Sequence, residues 1–322
     1  MKAIDNVASA IKKFKSFLIT SHVNPEGDAL GSQLAMADLL RSLGKDFIIY
    51  NSDEIPPHYQ FLPQANLIKN KINLRSKKID AAIVMDCPNL KRVGRVKDAV
   101  NKAKYVINID HHVSNENFGD INWVEKNVSS VGEMIYRLYK RINYKLTKEA
   151  ALYLYISILT DTGSFNYSNT SSATHEIVSE LLGYGLAPYD ISKSIYENKT
   201  LGDIKLLGKA LSNLEITEDG KVAYISVPQR YFKETKTTSF ACENFVNYAR
   251  SIKGVDVAVF FREDMVEKNL FHISFRATKR IDVNKIASHF GGGGHKSASG
   301  CTIKGPLKEV KEKVLKRIKD EL

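Results

Sequence analysis

The chain alternates short apolar, β-branched runs with longer stretches of helical period. Phe17–Thr20, Asp46–Tyr50, Asp80–Met85 and Tyr105–Ile109 have the length and composition of buried strands. Helical patterns run over about Asp28–Leu43, Val131–Ile142, Lys148–Leu159 and Ala173–Gly185, and the opening MKAIDNVASAIKKFKSF reads as an amphipathic helix. Strands alternating with helices predict a parallel sheet covered on both faces. The segment Gly185–Pro188 closes this part, and about Asp190 to Leu214 reads as a helical connector.

The pattern changes in the second half. Strands are expected at Val222–Val227, Val255–Phe261 and Leu270–Ala277, and helices near Ala241–Ser251, Val283–His289 and Lys308–Leu322. The predicted fold class is α/β, with an N-terminal parallel-sheet domain and a smaller C-terminal α+β domain on a mixed sheet. The expected division is 1–187, a helical linker over 188–215, and 216–322. There is no internal repeat and no low-complexity tract.

Composition narrows the class. A chain of 322 residues can bury a large core in two domains. No apolar run reaches the roughly 18–20 residues of a membrane span, and the opening segment lacks a signal-peptide core. The three cysteines, Cys87, Cys242 and Cys301, are odd in number and lack metal-site spacing, which argues for a reducing cytoplasm. The net charge of +11 would help a polyanionic substrate. Lysines are nevertheless scattered over both halves, so a solvated surface explains the charge equally well. KVKEK and VLKRIKDEL read as an amphipathic capping helix rather than an RNA-binding strip.

Chemistry gathers where the first-half strands end. VINIDHH places Asp110, His111 and His112 after an apolar strand; SHVNPEGDALGS carries His22, Glu26 and Asp28; AAIVMDCPN carries Asp86. ILTDTGSF, with Asp161, joins them by residue type, although LYLYISILT before it reads as a helix. Ligands of open parallel sheets bind at strand ends. Collected there, His22, Glu26, Asp28, Asp86, His111 and Asp161 make a mixed oxygen and nitrogen cage for two divalent ions, which suits phosphate-ester hydrolysis. Taken singly, each has a plainer reading. Asp28 is a good N-cap for a helix beginning at Ala29, Asp86 a turn former, Asp161 part of a helix end closed by Gly163, and the histidine pair a surface loop. The run Gly291–Gly294, followed by His295, is too glycine-rich for a strand or helix, so it reads as a loop whose N–H groups can approach an anion.

These segments, in this order, resemble the DHH phosphoesterase family, and FGGGGHKSASG (Phe290 to Gly300) resembles the glycine-rich signature of the DHH-associated substrate-binding domain. The resemblance covers nearly the whole chain and is best with the compact two-domain subgroup of oligoribonucleases and 3′-phosphoadenosine 5′-phosphate phosphatases, close to stand-alone cyclic di-AMP phosphodiesterases. It implies that Asp86 bridges two metals, that His22, Glu26 and Asp86 hold one ion, and that Asp28, Asp86, His111 and Asp161 hold the other. It also implies that His112 faces the scissile phosphate or leaving group, with Asp110 orienting an imidazole or loop backbone. Arg276, Gly292, Gly293, Gly294 and His295 would grip the nucleotide as the second domain closes over the cleft. The family's first motif usually reads Asn-Pro-Asp-Gly-Asp, and here Glu26 stands at its first acidic position.

The expected activity is therefore two-metal hydrolysis of short oligoribonucleotides and 3′-phosphoadenosine 5′-phosphate to mononucleotides. Imidazole among carboxylates favours Mn²⁺, with Mg²⁺ and Co²⁺ the other candidates. A cyclic di-AMP or linear pApA phosphodiesterase is the alternative within the class. A non-catalytic nucleotide-binding module is the alternative outside it, supported by Glu26 alone. The expected partners are a short RNA or nucleotide and, in a homodimer, a second copy of the chain, with no membrane.

Overall fold

The structure, a computed structural model, describes residues 2–72, 78–278 and 281–322. Met1, the first residue of the expected amphipathic helix and of the expected first domain, lies outside them. The chain divides into two compact units between Asn198 and Lys199.

The first unit contains α1 (Ala3–Lys13), β1 (Ser16–Thr20), α2 (Gly27–Ser42), β2 (Asp46–Tyr50), β3 (Ile68–Lys69), β4 (Ala81–Met85), α3 (Lys97–Asn101), β5 (Tyr105–Asp110), β6 (Ile121–Val124), α4 (Val131–Ile142), α5 (Lys148–Asp161), α6 (Ser172–Leu182) and α7 (Pro188–Tyr196). Its six strands are parallel, in the order β3-β2-β1-β4-β5-β6. The strands read as unbroken apolar runs because both faces are covered. In β4, Ala81, Ile83 and Met85 pack into the larger core with residues of α1, α2, α4 and α5, whereas Ala82 and Val84 pack oppositely with Val93, Val96 and Val100. Short β3 and β6 escape the sequence pattern, since few of their residues are buried.

Helix α2 lies unusually close to α5, and its glycines are the reason. A Cβ on Gly31 would come within 2.4 Å of the Tyr153 carbonyl oxygen, and one on Gly27 within 2.5 Å of Thr160 Oγ1. Gly27 and Gly31 are one helical turn apart, so α2 offers α5 a flat stripe.

The second unit contains α8 (Leu201–Leu211), β7 (Glu215–Ile216), β8 (Val222–Val227), α9 (Gln229–Thr235), α10 (Phe245–Arg250), β9 (Val257–Glu263), β10 (Leu270–Ala277), α11 (Val283–His289), β11 (Gly293–His295), β12 (Ala298–Lys304) and α12 (Leu307–Lys319). The sheet order is β11-β12-β10-β9-β8-β7, with β8 and β9 parallel and the other pairs antiparallel. Strand β10 alternates: Phe271, Ile273, Phe275 and Ala277 enter the core with α11 and α12, and His272, Ser274 and Arg276 line the opposite, half-buried face. The segment 188–215 is not one connector; α7 belongs to the first unit and α8 to the second.

Three expectations need correction. The glycine run is not wholly a loop: Gly293–His295 forms β11, paired antiparallel to β12. Glycine is permitted there because the strands approach so closely. A Cβ on Gly292 would sit 2.1 Å from the Gly300 carbonyl oxygen, and Gly294 has a φ of 145°. The helix expected over Ala241–Ser251 is a 3₁₀ turn at Ser239–Cys242 and then α10, separated where Asn244 takes a left-handed φ of 68°. Asp28 does not cap its own helix. Glu26 holds the N-cap position of α2, and Asp28 lies in its first turn, where its carboxylate caps α4.

Candidate metal centre

Strand order reverses between β1 and β4, and a crevice opens beyond their carboxyl ends at such a switch point. The loop after β1 carries His22, Asp86 follows β4, and β5 ends on Asp110 with His111 and His112 next. Asp86 has a left-handed φ of 50°, a conformation that aspartate tolerates better than most residues.

The Nε2 atom of His111 stands 3.7 Å from Asp28 Oδ2, 3.6 Å from Asp86 Oδ1 and 3.7 Å from Asp161 Oδ2. Asp86 turns its other oxygen, Oδ2, toward His22 Nε2 at 3.3 Å. One carboxylate thus presents an oxygen to each of two imidazoles. The Nδ1–H of His22 donates to the Val23 carbonyl at 2.6 Å, which leaves Nε2 as the ligand atom. The three His111 separations exceed a hydrogen bond. They are slightly wider than the roughly 3 Å between neighbouring donors of an octahedral ion with bonds of about 2.1 Å. Buried carboxylates and imidazoles aimed at common points therefore fit divalent ions, and the donor set suits Mn²⁺, Co²⁺ or Mg²⁺.

Charge is crowded here. Burial and the nearby Asp86 push the Asp28 carboxyl up to about 7. Burial, with the neighbouring carboxylates, holds Asp161 well above the usual range. Burial would raise Asp86 too, but the adjacent His111 and His22 imidazoles outweigh it and hold Asp86 well below. Burial opposes protonation of His111, yet Asp161, Asp86 and Asp28 raise it well above the ordinary imidazole value. This is what a cation site looks like when protons share it.

Supporting groups fix the acids. Asp28 accepts from the Val131 N–H at 2.9 Å, the Gly132 N–H at 3.1 Å and Ser157 Oγ at 2.5 Å, so it sits at the positive N-terminus of α4. Asn169 Nδ2 donates to the Ser129 carbonyl at 2.7 Å, to the Asp161 carbonyl at 3.1 Å and to Asp161 Oδ2 at 3.3 Å. His112 Nδ1 donates to Asp110 Oδ1 at 2.8 Å, and Asn115 Nδ2 donates to Asp110 Oδ2 at 2.5 Å and to Asn108 Oδ1 at 2.8 Å. Burial would raise Asp110, but the His112 imidazole outweighs it and lowers the carboxyl.

The structure brings together His22, Asp28, Asp86, His111 and Asp161, with Asp110 and His112 alongside. Glu26 is exposed, and its charge contributes to raising Asp161. Sequence reasoning missed Ser157, Asn108, Asn115 and Asn169; Asn108 and Ser157 stand inside the quoted runs VINIDHH and LYLYISILT, and Asn115 three residues after His112, but nothing in the sequence marks them as partners of the acids. In the second unit, His295 pairs with Ala298 and Ala298 pairs with Arg276. Arg276 and His295 therefore lie on one face of one rung, separated by a small side chain. The next rung on that face is Gly293, Gly300 and Ser274, a nearly bare stretch of backbone beside them.

Residues 16–158 match the DHH family, N-terminal domain, and residues 219–322 match the DHHA1 domain. The chain is 30% identical over 311 residues to uncharacterized protein MG371 of Mycoplasma genitalium, spanning 93% of this chain and 90% of that protein. The chain belongs to the DHH family. This DHH-family chain is also 29% identical over 296 residues to the bifunctional oligoribonuclease and PAP phosphatase NrnA of Bacillus subtilis, spanning 91% of each. Among solved structures, an exopolyphosphatase-related protein from Bacteroides fragilis matches with a TM-score of 0.89 at 29% identity, covering 99% of this chain and 96% of that one.

Proposed function

We propose that this chain is a metal-dependent phosphoesterase that hydrolyses short oligoribonucleotides and 3′-phosphoadenosine 5′-phosphate to mononucleotides. The observation that carries this reading is the Asp86 carboxylate, set between His22 and His111, with Asp28 and Asp161 completing the cluster. The named activity of the Bacillus subtilis relative supplies the substrate class.

His22, Glu26 and Asp86 would hold one ion, and Asp28, Asp86, His111 and Asp161 the other, with Mn²⁺ preferred. Such a pair of ions supplies an activated water and neutralises charge on the phosphoryl group in flight. The protein's own residues do the rest. Asp110 fixes the tautomer of His112, so Nε2 is the ring atom that handles the proton of the leaving ribose oxygen. Asn115 keeps Asp110 in place. Arg276, Gly292, Gly293, Gly294 and His295 are the proposed nucleotide-holding residues of the second unit. No helix among the described residues is long and apolar enough to cross a membrane. Three free, buried cysteines fit a reducing compartment, and a cytoplasmic location is part of the proposal.

The test is a side-by-side rate measurement with Mn²⁺ on a ribodinucleotide, on 3′-phosphoadenosine 5′-phosphate and on cyclic di-AMP. The first two should be hydrolysed fastest. Preferential hydrolysis of cyclic di-AMP would replace the substrate assignment, and no hydrolysis of any of them would refute the enzyme.

A further inference from the structure

The loop after β4 holds a cation that none of these roles uses. Arg92 lies six residues beyond Asp86, in a turn clamped from several sides. The Asn89 side chain accepts from the Lys91 N–H at 3.1 Å and from the Arg92 N–H at 3.2 Å, and the Arg92 carbonyl accepts from the Val23 N–H at 2.7 Å. Val23 adjoins His22, so Arg92 is tied by backbone to the segment that carries one imidazole of the cluster. Gly94 next door has a φ of 60° and lies so close that a Cβ would meet Ser52 Oγ at 2.5 Å and Val23 at 2.8 Å. On the other side, the Pro88 carbonyl accepts from the Glu116 N–H at 2.9 Å, linking this turn to the loop after His112.

The backbone is therefore fixed, whereas the guanidinium is not committed. Arg92 is half-buried, and no hydrogen bond or ion pair holds its side chain among the described residues. An arginine anchored through its backbone beside the His22 segment, with its guanidinium paired to no carboxylate among the described residues, lacks the planar anion that its donors fit. Two other arginines of the first unit are paired: Arg137 with Glu125 and Glu133, and Arg141 with Asp5.

We propose that Arg92 binds a phosphoryl oxygen of the substrate beside the metal-binding cluster, forming a phosphate subsite within the first unit. The inference deepens the phosphoesterase reading and rests on it for the identity of the ligand. The fixed turn pre-sets the position of the arginine, so a phosphate gains the charged contact with little ordering of backbone. The contact acts on the phosphate rather than on the base, so it serves dinucleotide and 3′-phosphoadenosine 5′-phosphate alike.

The experiment uses the full chain and three variants: Arg92→Gln, Arg92→Lys and, as a charge control on the adjacent exposed position, Lys91→Gln. Two properties are read. One is kcat/KM on a ribodinucleotide and on 3′-phosphoadenosine 5′-phosphate. The other is the rise in Tm produced by inorganic phosphate in Mg²⁺ buffer, where phosphate stays soluble. Arg92→Gln should lose about thirtyfold in kcat/KM on both substrates. It should also lose the phosphate-dependent rise in Tm while keeping the rise produced by the metal alone. Arg92→Lys should recover part of both, and Lys91→Gln should match the parent.

A parental phosphate response in Arg92→Gln, with kcat/KM within about threefold of the parent, would overturn the proposal. So would an equal loss in Lys91→Gln, because a general field would then explain the effect. If the parent hydrolyses no nucleotide, the phosphoesterase reading fails by itself, and the thermal response to phosphate still decides the role of Arg92.

Discussion

Asp28 keeps its proton to about pH 7 because it is buried and faces Asp86. An unfolded aspartate releases its proton near 3.9. Between those values the folded, metal-free chain binds a proton that the unfolded chain does not, so this residue's share of stability fades as pH rises through the window. Asp161, also raised by burial, and His111, raised by its carboxylate neighbours, act in the same sense, while Asp86 acts in the opposite one. A divalent ion must displace the shared protons. The gain in Tm on adding Mn²⁺ should therefore be larger at about pH 8 than at about pH 6. Thermal unfolding scans at both values check this, and an equal gain would show that the cluster is not where the ion binds. Asp86, Asp110, His111 and Asp161 were legible in the sequence because each stands at the end of an apolar run, and His22 and Asp28 because they share one turn-forming segment after another such run. The groups that hold them were not. Ser157 lies 129 residues from Asp28, and the hydrogen bond between them exists only once α2 and α5 have packed.

Helix α2 shows how a local preference can lose to packing. Replacing a mid-helix glycine by alanine ordinarily gains about 1 kcal/mol of helix propensity. At Gly31 the new methyl would meet the Tyr153 carbonyl oxygen at 2.4 Å, a backbone atom that cannot rotate away. Overpacking of this kind typically costs about 1–3 kcal/mol. Gly31→Ala should therefore lower Tm, and it should weaken metal binding as α2 shifts and takes Asp28 with it. Gly208→Ala on α8 is the comparison. Nothing lies within 4 Å of its Cβ position, so propensity acts alone and Tm should rise. Calorimetry and metal titration of the two variants separate the cases, and a stabilised Gly31→Ala would show that α2 does not press on α5. The same competition set the limits of the sequence reading. Val222–Val227, Leu270–Ala277 and Val131–Ile142 were read with the boundaries they have, since their burial pattern is their sequence pattern. Strand β11 was misread because its composition suits no strand in isolation, and only the close approach of β12 makes glycine the residue that fits.

At the scale of the whole molecule, the five clustered donors all precede residue 162, and Arg276 and His295 lie beyond the division at Asn198. A chain ending at Asn198 should retain the Mn²⁺-dependent rise in Tm and lose cleavage of dinucleotides. Thermal scans and a cleavage assay on the truncated chain check both halves, and full activity would refute the division of labour. The distribution of the donors along the chain also has a consequence for biosynthesis. His22 emerges first and Asp161 last, with Asp86 and His111 between, and they meet only when β1, β4, β5 and α5 are in register. Domains fold as units during synthesis, so a nascent chain lacking α5 has no cluster to charge with metal. Metal uptake by the growing chain therefore waits for α5, the last element to bring a donor, and is timed by the completion of the first unit.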